Sequence, residues 1–200
     1  MTALIKIDAY RSNSSSGPAL VEAGVDAFRA AMRQLAEGVC LVTQGVGAAP
    51  TGMTATSVTS LALDPPTLIV CVNRASSSYS GLARGVAFGV SVLGADHIEL
   101  AERFSGRTGE KGADRFREGN WLIGPGGAPL LRDALAAFDC VVEELVERHT
   151  HAIVIGRVKR TAVGAGGGAL VHWRGHYDQL GWSLDEVSRA TGRSPTAARE

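Results

Sequence analysis

The chain has 200 residues, 45% hydrophobic and 20% charged, with 20 Lys and Arg balanced by 20 Asp and Glu. That length points to one domain able to bury a sizeable core. The neutral balance argues against the basic footprint of a nucleic-acid binder and against binding to an anionic membrane.

Three cysteines, Cys40, Cys71 and Cys140, are widely spaced with no CxxC pair. An odd, scattered set argues against a disulfide framework or a structural zinc site and for a reduced, cytoplasmic protein. Apolar runs fall short of the ~18 residues of a membrane-spanning helix. The first twenty residues lack the continuous apolar stretch of a signal peptide.

Residues 1–22 read as a flexible tail, because the stretch RSNSSSGP at 11–18 cannot bury a face. Residues 23–183 read as the folded domain and 184–200 as a second tail, a short helix or a frayed end. Val25, Phe28, Met32 and Leu35 recur at helical spacing, which predicts a helix over 26–37 with one buried stripe, ending at Gly38. A strand is expected over 39–43 and a turn over 45–50. Residues 51–61, rich in Thr, Ser and Val, read as one partly wet strand. Asp64-Pro65-Pro66 ends it, and 67–73 reads as a buried strand in which Cys71 is a small buried thiol. A strand at 87–93 and a helix at 96–104 follow, the helix turning Ile98, Leu100, Ala101 and Phe104 inward. Long paired strands at 138–147 and 152–160, a glycine loop at 164–168 and a strand at 169–173 complete the order. Six or seven strands joined by short turns predict a mainly β protein, a small antiparallel β-barrel with flanking helices. No GxGxxG joins a strand to a helix, so a dinucleotide fold of that kind is not expected.

Two segments carry chemistry. Thr54, Thr56, Ser57, Thr59 and Ser60 crowd hydroxyls into seven positions, with Thr54 and Thr56 on one face of a strand and Ser57 and Thr59 on the other. A polar ligand lying along the strand would use them; water along an edge strand would serve equally. Ser76, Ser77 and Ser78 follow a strand and precede a helical turn expected at 80–84, a junction suited either to a phosphate, with Arg74 or Arg84 adding charge, or to plain helix capping. His149 and His151 would share a strand face, and His172 and His176 would do so only if their strand continued. With His97 these histidines match no standard zinc spacing, and no metal is expected. There is no Gly-x-Ser-x-Gly. A polar strip without an evident acid, base or nucleophile suits a site whose cofactor carries the chemistry.

Residues 52–73, GMTATSVTSLALDPPTLIVCVN, closely resemble the signature of the flavin reductase-like family, the short-chain NAD(P)H:flavin oxidoreductases that supply two-component monooxygenases. Weaker matches are Leu100 to Gly106, Asp114-Arg115-Phe116, His151 with Gly156, and His172 to Tyr177; together they span about Phe28 to Gly181. The resemblance implies an FMN-binding split barrel of six antiparallel strands in Greek-key order, working as a homodimer with flavin (FMN or FAD) near the subunit interface. It implies that Thr54, Ala55, Thr56 and Ser57 line the flavin ring and ribityl chain. Cys71, Val72 and Asn73 would meet the ring edge or ribityl, Ser76, Ser77 and Ser78 the phosphate, and Arg103, Phe104 and Ser105 would close over the cofactor. Many members carry Gly-Asp-His where this chain has His149-Thr150-His151; the matching His151 is assigned to the nicotinamide, with Arg174 and Tyr177 as further candidates for flavin, nicotinamide or a purely structural role.

The expected activity is hydride transfer from NADH or NADPH to the flavin N5, with reduced flavin diffusing to a separate monooxygenase. That step needs the two rings stacked at roughly 3–3.5 Å and no protein acid or base. Two alternatives stay open at this point. One is a tightly held FMN electron-transfer protein or a reductase of another small substrate. The other is a non-catalytic module binding flavin or haem, for which His97, His149 and His172 qualify by residue type alone.

Overall fold

The computed structural model describes residues 19–45 and 49–181. The chain divides into two units, residues 1–34 and 35–200. In the first, α1 spans Val25–Met32, with Asp26 and Arg29 paired at 2.8 Å. The helix is shorter than the periodicity predicts, and its stripe is not a core stripe: Val25, Phe28 and Met32 are all exposed. Glu37 and Gly38, expected to end the helix, instead form the short strand β1 of the second unit, so the chain is already extended there. Leu35, just before it, is exposed as well. The tail assigned to 1–22 lies outside the described residues up to 18, and the tail assigned to 184–200 lies outside them entirely.

The second unit is mainly β. After β1 (Glu37–Gly38) come β2 (Cys40–Gln44), β3 (Thr51–Ala55), β4 (Thr59–Leu63), β5 (Pro66–Asn73) and β6 (Ala87–Val92). A single 3-10 turn leads into α2 (Ile98–Ser105), followed by β7 (Trp121–Ile123), β8 (Pro129–Leu131), β9 (Ala136–Arg148), β10 (His151–Val163), β11 (Ala169–Trp173) and β12 (His176–Leu180). Seven strands form one antiparallel sheet in the order β3-β2-β6-β9-β10-β5-β4. Its two edges, β3 and β4, are consecutive in sequence, separated only by Thr56, Ser57 and Val58. The sheet therefore curls until its edges approach, without a ladder closing them, which is a split barrel. β1, β11 and β12 form a second sheet and β7 and β8 a third.

Alternation along the strands builds two cores. Val42, Met53, Val70, Val72, Phe88, Val90, Cys140, Val142 and Val154 fill the barrel. Val39, Leu41, Leu93, Leu131 and Leu170 pack outside it with Leu100, Ala101 and Phe104 of α2. β2 is thus covered on both faces, which is why all five of its residues are buried and why its sequence is a run rather than an alternation. Gly156 of β10 lies against Phe88: a Cβ there would come 2.3 Å from the Phe88 ring.

Several expectations are corrected. Residues 51–61 are two strands, because the chain turns the barrel's corner at Thr56–Val58. Cys71 is exposed: β5 turns Leu68, Val70 and Val72 inward, and strict alternation sends Ile69, Cys71 and Asn73 to the outer face. Residues 80–84 form turns and no helix. His149 is a hairpin-turn residue at φ 51°, so it does not share a strand face with His151. His172 and His176 lie on separate strands, joined by a turn in which Arg174 and Gly175 both have positive φ. Ile98 is exposed rather than inward. No helix among the described residues is long and apolar enough to cross a membrane.

Candidate functional site at the barrel seam

The seam gathers most of the residues singled out in the sequence. β3 pairs with β2 alone in its sheet, so its other edge carries no ladder. Along that edge Thr54 donates its hydroxyl to the Ala101 carbonyl of α2 at 2.7 Å. Ala55 is buried in the barrel core, and Thr56 and Ser57 form the link to β4. Ser57 Oγ donates to the Cys71 carbonyl at 2.9 Å and accepts from the Cys71 amide at 3.1 Å. The Cys71 thiol faces outward while Val72 is wholly buried, so Val72 can offer a ligand only its main chain. Asn73 is exposed and caps the next turn, accepting from the Ala75 amide at 2.9 Å.

That turn carries the three serines, and it uses two of them itself. Ser76 Oγ accepts from the Ser78 amide at 3.2 Å and contacts the Met53 sulfur at 3.8 Å. Ser78 is buried, its hydroxyl 3.2 Å from that of Thr51 and its carbonyl bound by the Gln44 side-chain amide. Ser77 is exposed, with its hydroxyl on the surface. Arg74, a candidate charge, is held beside the turn by Glu147 at 2.9 Å and by the His149 carbonyl at 3.2 Å. Glu147 also accepts from the Tyr79 hydroxyl, which raises the Tyr79 pKa chiefly through that bond.

The end of α2 forms the opposite wall. Phe104 is buried, stacked edge-on with Phe116 at 4.9 Å and near Trp121 at 5.6 Å, and its ring touches Gly52 of β3. It braces the wall from inside the core. Arg103 is largely buried between Glu110 and Glu118, and its hydrogen bond to Glu118 holds the guanidinium above the usual arginine range. Its Nη1 is buried without a hydrogen-bond partner among the described residues. Ser105 donates to the Glu102 carbonyl at 2.7 Å and is exposed. Arg115 is buried and donates from Nη1 to the Gly52 carbonyl at 2.6 Å and from Nε to the Glu110 carbonyl at 3.0 Å. It ties the loop after α2 to β3.

The three nicotinamide candidates are split between two sheets. His151 begins β10 opposite Asn73 and Arg148, with Nδ1 2.8 Å from the Thr150 hydroxyl. Its neighbour His149 occupies the left-handed region, where glycine, which many family members carry there, has no steric cost. Arg174 and Tyr177 belong to the β11–β12 hairpin. Arg174 stacks on Trp173 at 4.4 Å; Tyr177 packs against His172 at 5.6 Å and under Arg107 at 5.9 Å. Burial is the main cause that raises the Tyr177 pKa.

Gln44, Thr51 and Glu147 are the supporting residues that sequence reasoning missed, and Arg115 was marked only as part of the Asp114-Arg115-Phe116 match, without a role. Each is a single polar residue in an ordinary context. Only the buried position of Gln44, four residues into an apolar strand, offered a signal.

The seam fits an extended ligand with a flat polar ring and an anionic tail. It offers an unladdered strand edge and an exposed serine on a tight turn beside an arginine. The flavin reductase like domain matches residues 32–181. The FMN reductase (NADH) RutF 2 of Methylorubrum extorquens strain PA1 is 41% identical over 166 residues, covering 83% of this chain and 94% of that protein. Among solved structures, BorF, the flavin reductase component of a bacterial two-component tryptophan halogenase, superposes with a TM-score of 0.73 at 34% identity, covering 79% of this chain and 99% of that one. The NADH:FAD oxidoreductase SgcE6 of Streptomyces globisporus, in complex with NAD and FAD fragments, gives 0.71 at 30% identity, covering 79% and 93%.

Proposed function

This chain belongs to the flavin reductase like domain family, and from that premise we propose that it is an NADH-dependent flavin reductase that binds FMN at the barrel seam. The observation that carries the reading is the coincidence of the family match over 32–181 with the polar seam between β3 and β5. The relatives named FMN reductase (NADH) favour FMN and NADH as the pair. The flavin supplies the hydride-accepting chemistry when bound.

The residues of this chain bind and orient. Ser77 and Arg74 take the phosphate, and the main chain of Thr54 to Ser57 and of Cys71 to Asn73 takes the ribityl chain and the ring's polar edge. Arg103, Phe104 and Ser105 form the wall on the α2 side. His151 meets the nicotinamide, and Arg174 and Tyr177 steady the neighbouring hairpin. Reduced flavin leaves for a separate monooxygenase component, as the naming of BorF as a reductase component supports.

The same reading makes the protein a homodimer in the cytoplasm. Ile69 of β5, Ile153 and Ile155 of β10 and Val146 of β9 are register partners on the outer face of the sheet, only half-buried, around the exposed Cys71. Leu61 and Leu63 of β4 are 53% and 88% exposed. An apolar sheet face of this kind is self-complementary across a two-fold axis.

The test is steady-state oxidation of NADH and NADPH with no flavin, FMN, FAD or riboflavin added. Turnover with NADH that rises with added FMN is the expected result. Binding of flavin without turnover of either nicotinamide would overturn the reductase and leave a carrier.

A further inference from the structure

The serine turn is held by its own hydrogen bonds and by two contacts from other strands, and both of those contacts converge on Ser78. Gln44, the last residue of β2, is 4% exposed, and its amide nitrogen donates to the Ser78 carbonyl. Thr51, the first residue of β3, lies with its hydroxyl 3.2 Å from that of Ser78. Gly81 makes the room for this: a Cβ on it would come 2.5 Å from the Gln44 amide nitrogen. The rest of the turn is self-bonded, from Ser76 to the Asn73 carbonyl at 2.9 Å and from Tyr79 to the Ser76 carbonyl at 3.0 Å. Of the three serines, Ser77 is the one left exposed.

Gln44 is a costly choice for a core position. Its Oε1 is buried without a hydrogen-bond partner among the described residues, an arrangement that lowers stability. A leucine would fill the same space and remove the orphan Oε1, but would leave the Ser78 carbonyl without the Gln44 donor. What glutamine gives in return is a donor aimed at the Ser78 carbonyl.

We propose that Gln44 and Thr51 are positioning residues for the flavin phosphate, fixing Ser78 so that the Ser77 amide and hydroxyl are presented together to the anion. This rests on the reading that the serine turn takes the phosphate. Neither residue touches the ligand; each acts through Ser78. A loosened turn loses the paired donors, so affinity for a phosphorylated flavin falls while affinity for the ring and ribityl chain stays. The ratio of FMN to riboflavin affinity reads this directly, and a general loss of stability would not move it.

The experiment is fluorescence titration of FMN and of riboflavin into the full chain and into Gln44→Leu, Gly81→Ala, Thr51→Val, Thr51→Ser and Ser77→Ala. Gln44→Leu and Thr51→Val should weaken FMN about tenfold, the scale of one lost hydrogen bond, and leave riboflavin within about twofold. Thr51→Ser, which keeps the hydroxyl, should retain FMN. Gly81→Ala, which crowds the same amide, gives a second route should Gln44→Leu fail to fold. If Ser77→Ala lowers the FMN-to-riboflavin ratio while the Gln44, Gly81 and Thr51 variants leave it unchanged, the positioning role is overturned and the phosphate reading survives. If Ser77→Ala leaves the ratio unchanged, the phosphate reading fails and the positioning role goes with it.

Discussion

The Ser57 hydroxyl closes onto the main chain of Cys71 twice, donating to its carbonyl at 2.9 Å and accepting from its amide at 3.1 Å. The ladder between β4 and β5 ends at Thr59 and Ile69. One side chain therefore does beyond that point what a further pair of strand residues would do. It also spends the hydroxyl's only proton, so Ser57 can meet a ligand only as an acceptor.

Ser57→Ala should cost about 1–3 kcal/mol, the net worth of two ordinary hydrogen bonds. Native-state hydrogen exchange localises the effect: the Cys71 amide should exchange faster while the Val72 amide is unchanged. Equal protection in both proteins would show that the bond does not hold the seam.

The thiols separate by burial. Burial raises Cys40 to about 12, and burial aided by Asp139 raises Cys140 to about 12. At pH 8 a group with that pKa is thiolate in only about one molecule in ten thousand. A thiol reagent at pH 8 should therefore label Cys71 alone in the native protein and all three cysteines in denaturant. Native labelling of Cys40 or Cys140 would contradict the packing of β2 and β9.

Gly156→Ala should destabilise by about 1–3 kcal/mol, the scale of an overpacked core, because the new methyl meets the Phe88 ring. Phe88→Leu should recover part of that loss in the double variant, which a denaturation cycle reads as a coupling energy. Strict additivity of the two would place the Phe88 ring elsewhere.

Arg115→Lys keeps the charge and loses the two-point contact with Gly52 and Glu110. A loss of about 1.5–3 kcal/mol is expected, since the bonds are charge-assisted. The cleavage rate by a protease acting in 106–120 should rise with it. An unchanged melting curve would show that this loop is held by Phe104, Phe116 and Trp121 instead.

Ile153→Arg places a charge at the centre of the proposed dimer face. The protein should sediment as a monomer, label faster at Cys71 and bind flavin more weakly. A dimer that persists would move the interface to another face.

The sequence made the seam legible because its residues are contiguous: one stretch, 52–73, supplies β3, the corner, β4 and β5. The barrel and both long strands were legible for the same reason, since β9 and β10 are adjacent and strongly patterned. Cys71 was misread because Leu68 to Val72 is an unbroken apolar run, and such a run hides which residues face out. β7, β8 and β12 were missed because strands of three to five residues among Gly, Pro and charged residues carry no period. Arg115 was visible as part of the Asp114-Arg115-Phe116 match, but its role was not, because one of its two carbonyl partners, Gly52, lies 63 residues away. Gln44 offered no more than its place at the end of an apolar strand, its partner lying 34 residues on.

The three-residue link between the barrel's two free edges sets a gauge. From Ala55 to Thr59 the chain takes four steps, so those ends can stand no more than about 14 Å apart even fully extended. The two edges are thereby tethered at one corner, however the rest of their length is spaced. That tie is set by the number of residues and not by their identity, so it would survive the exchange of every side chain along it.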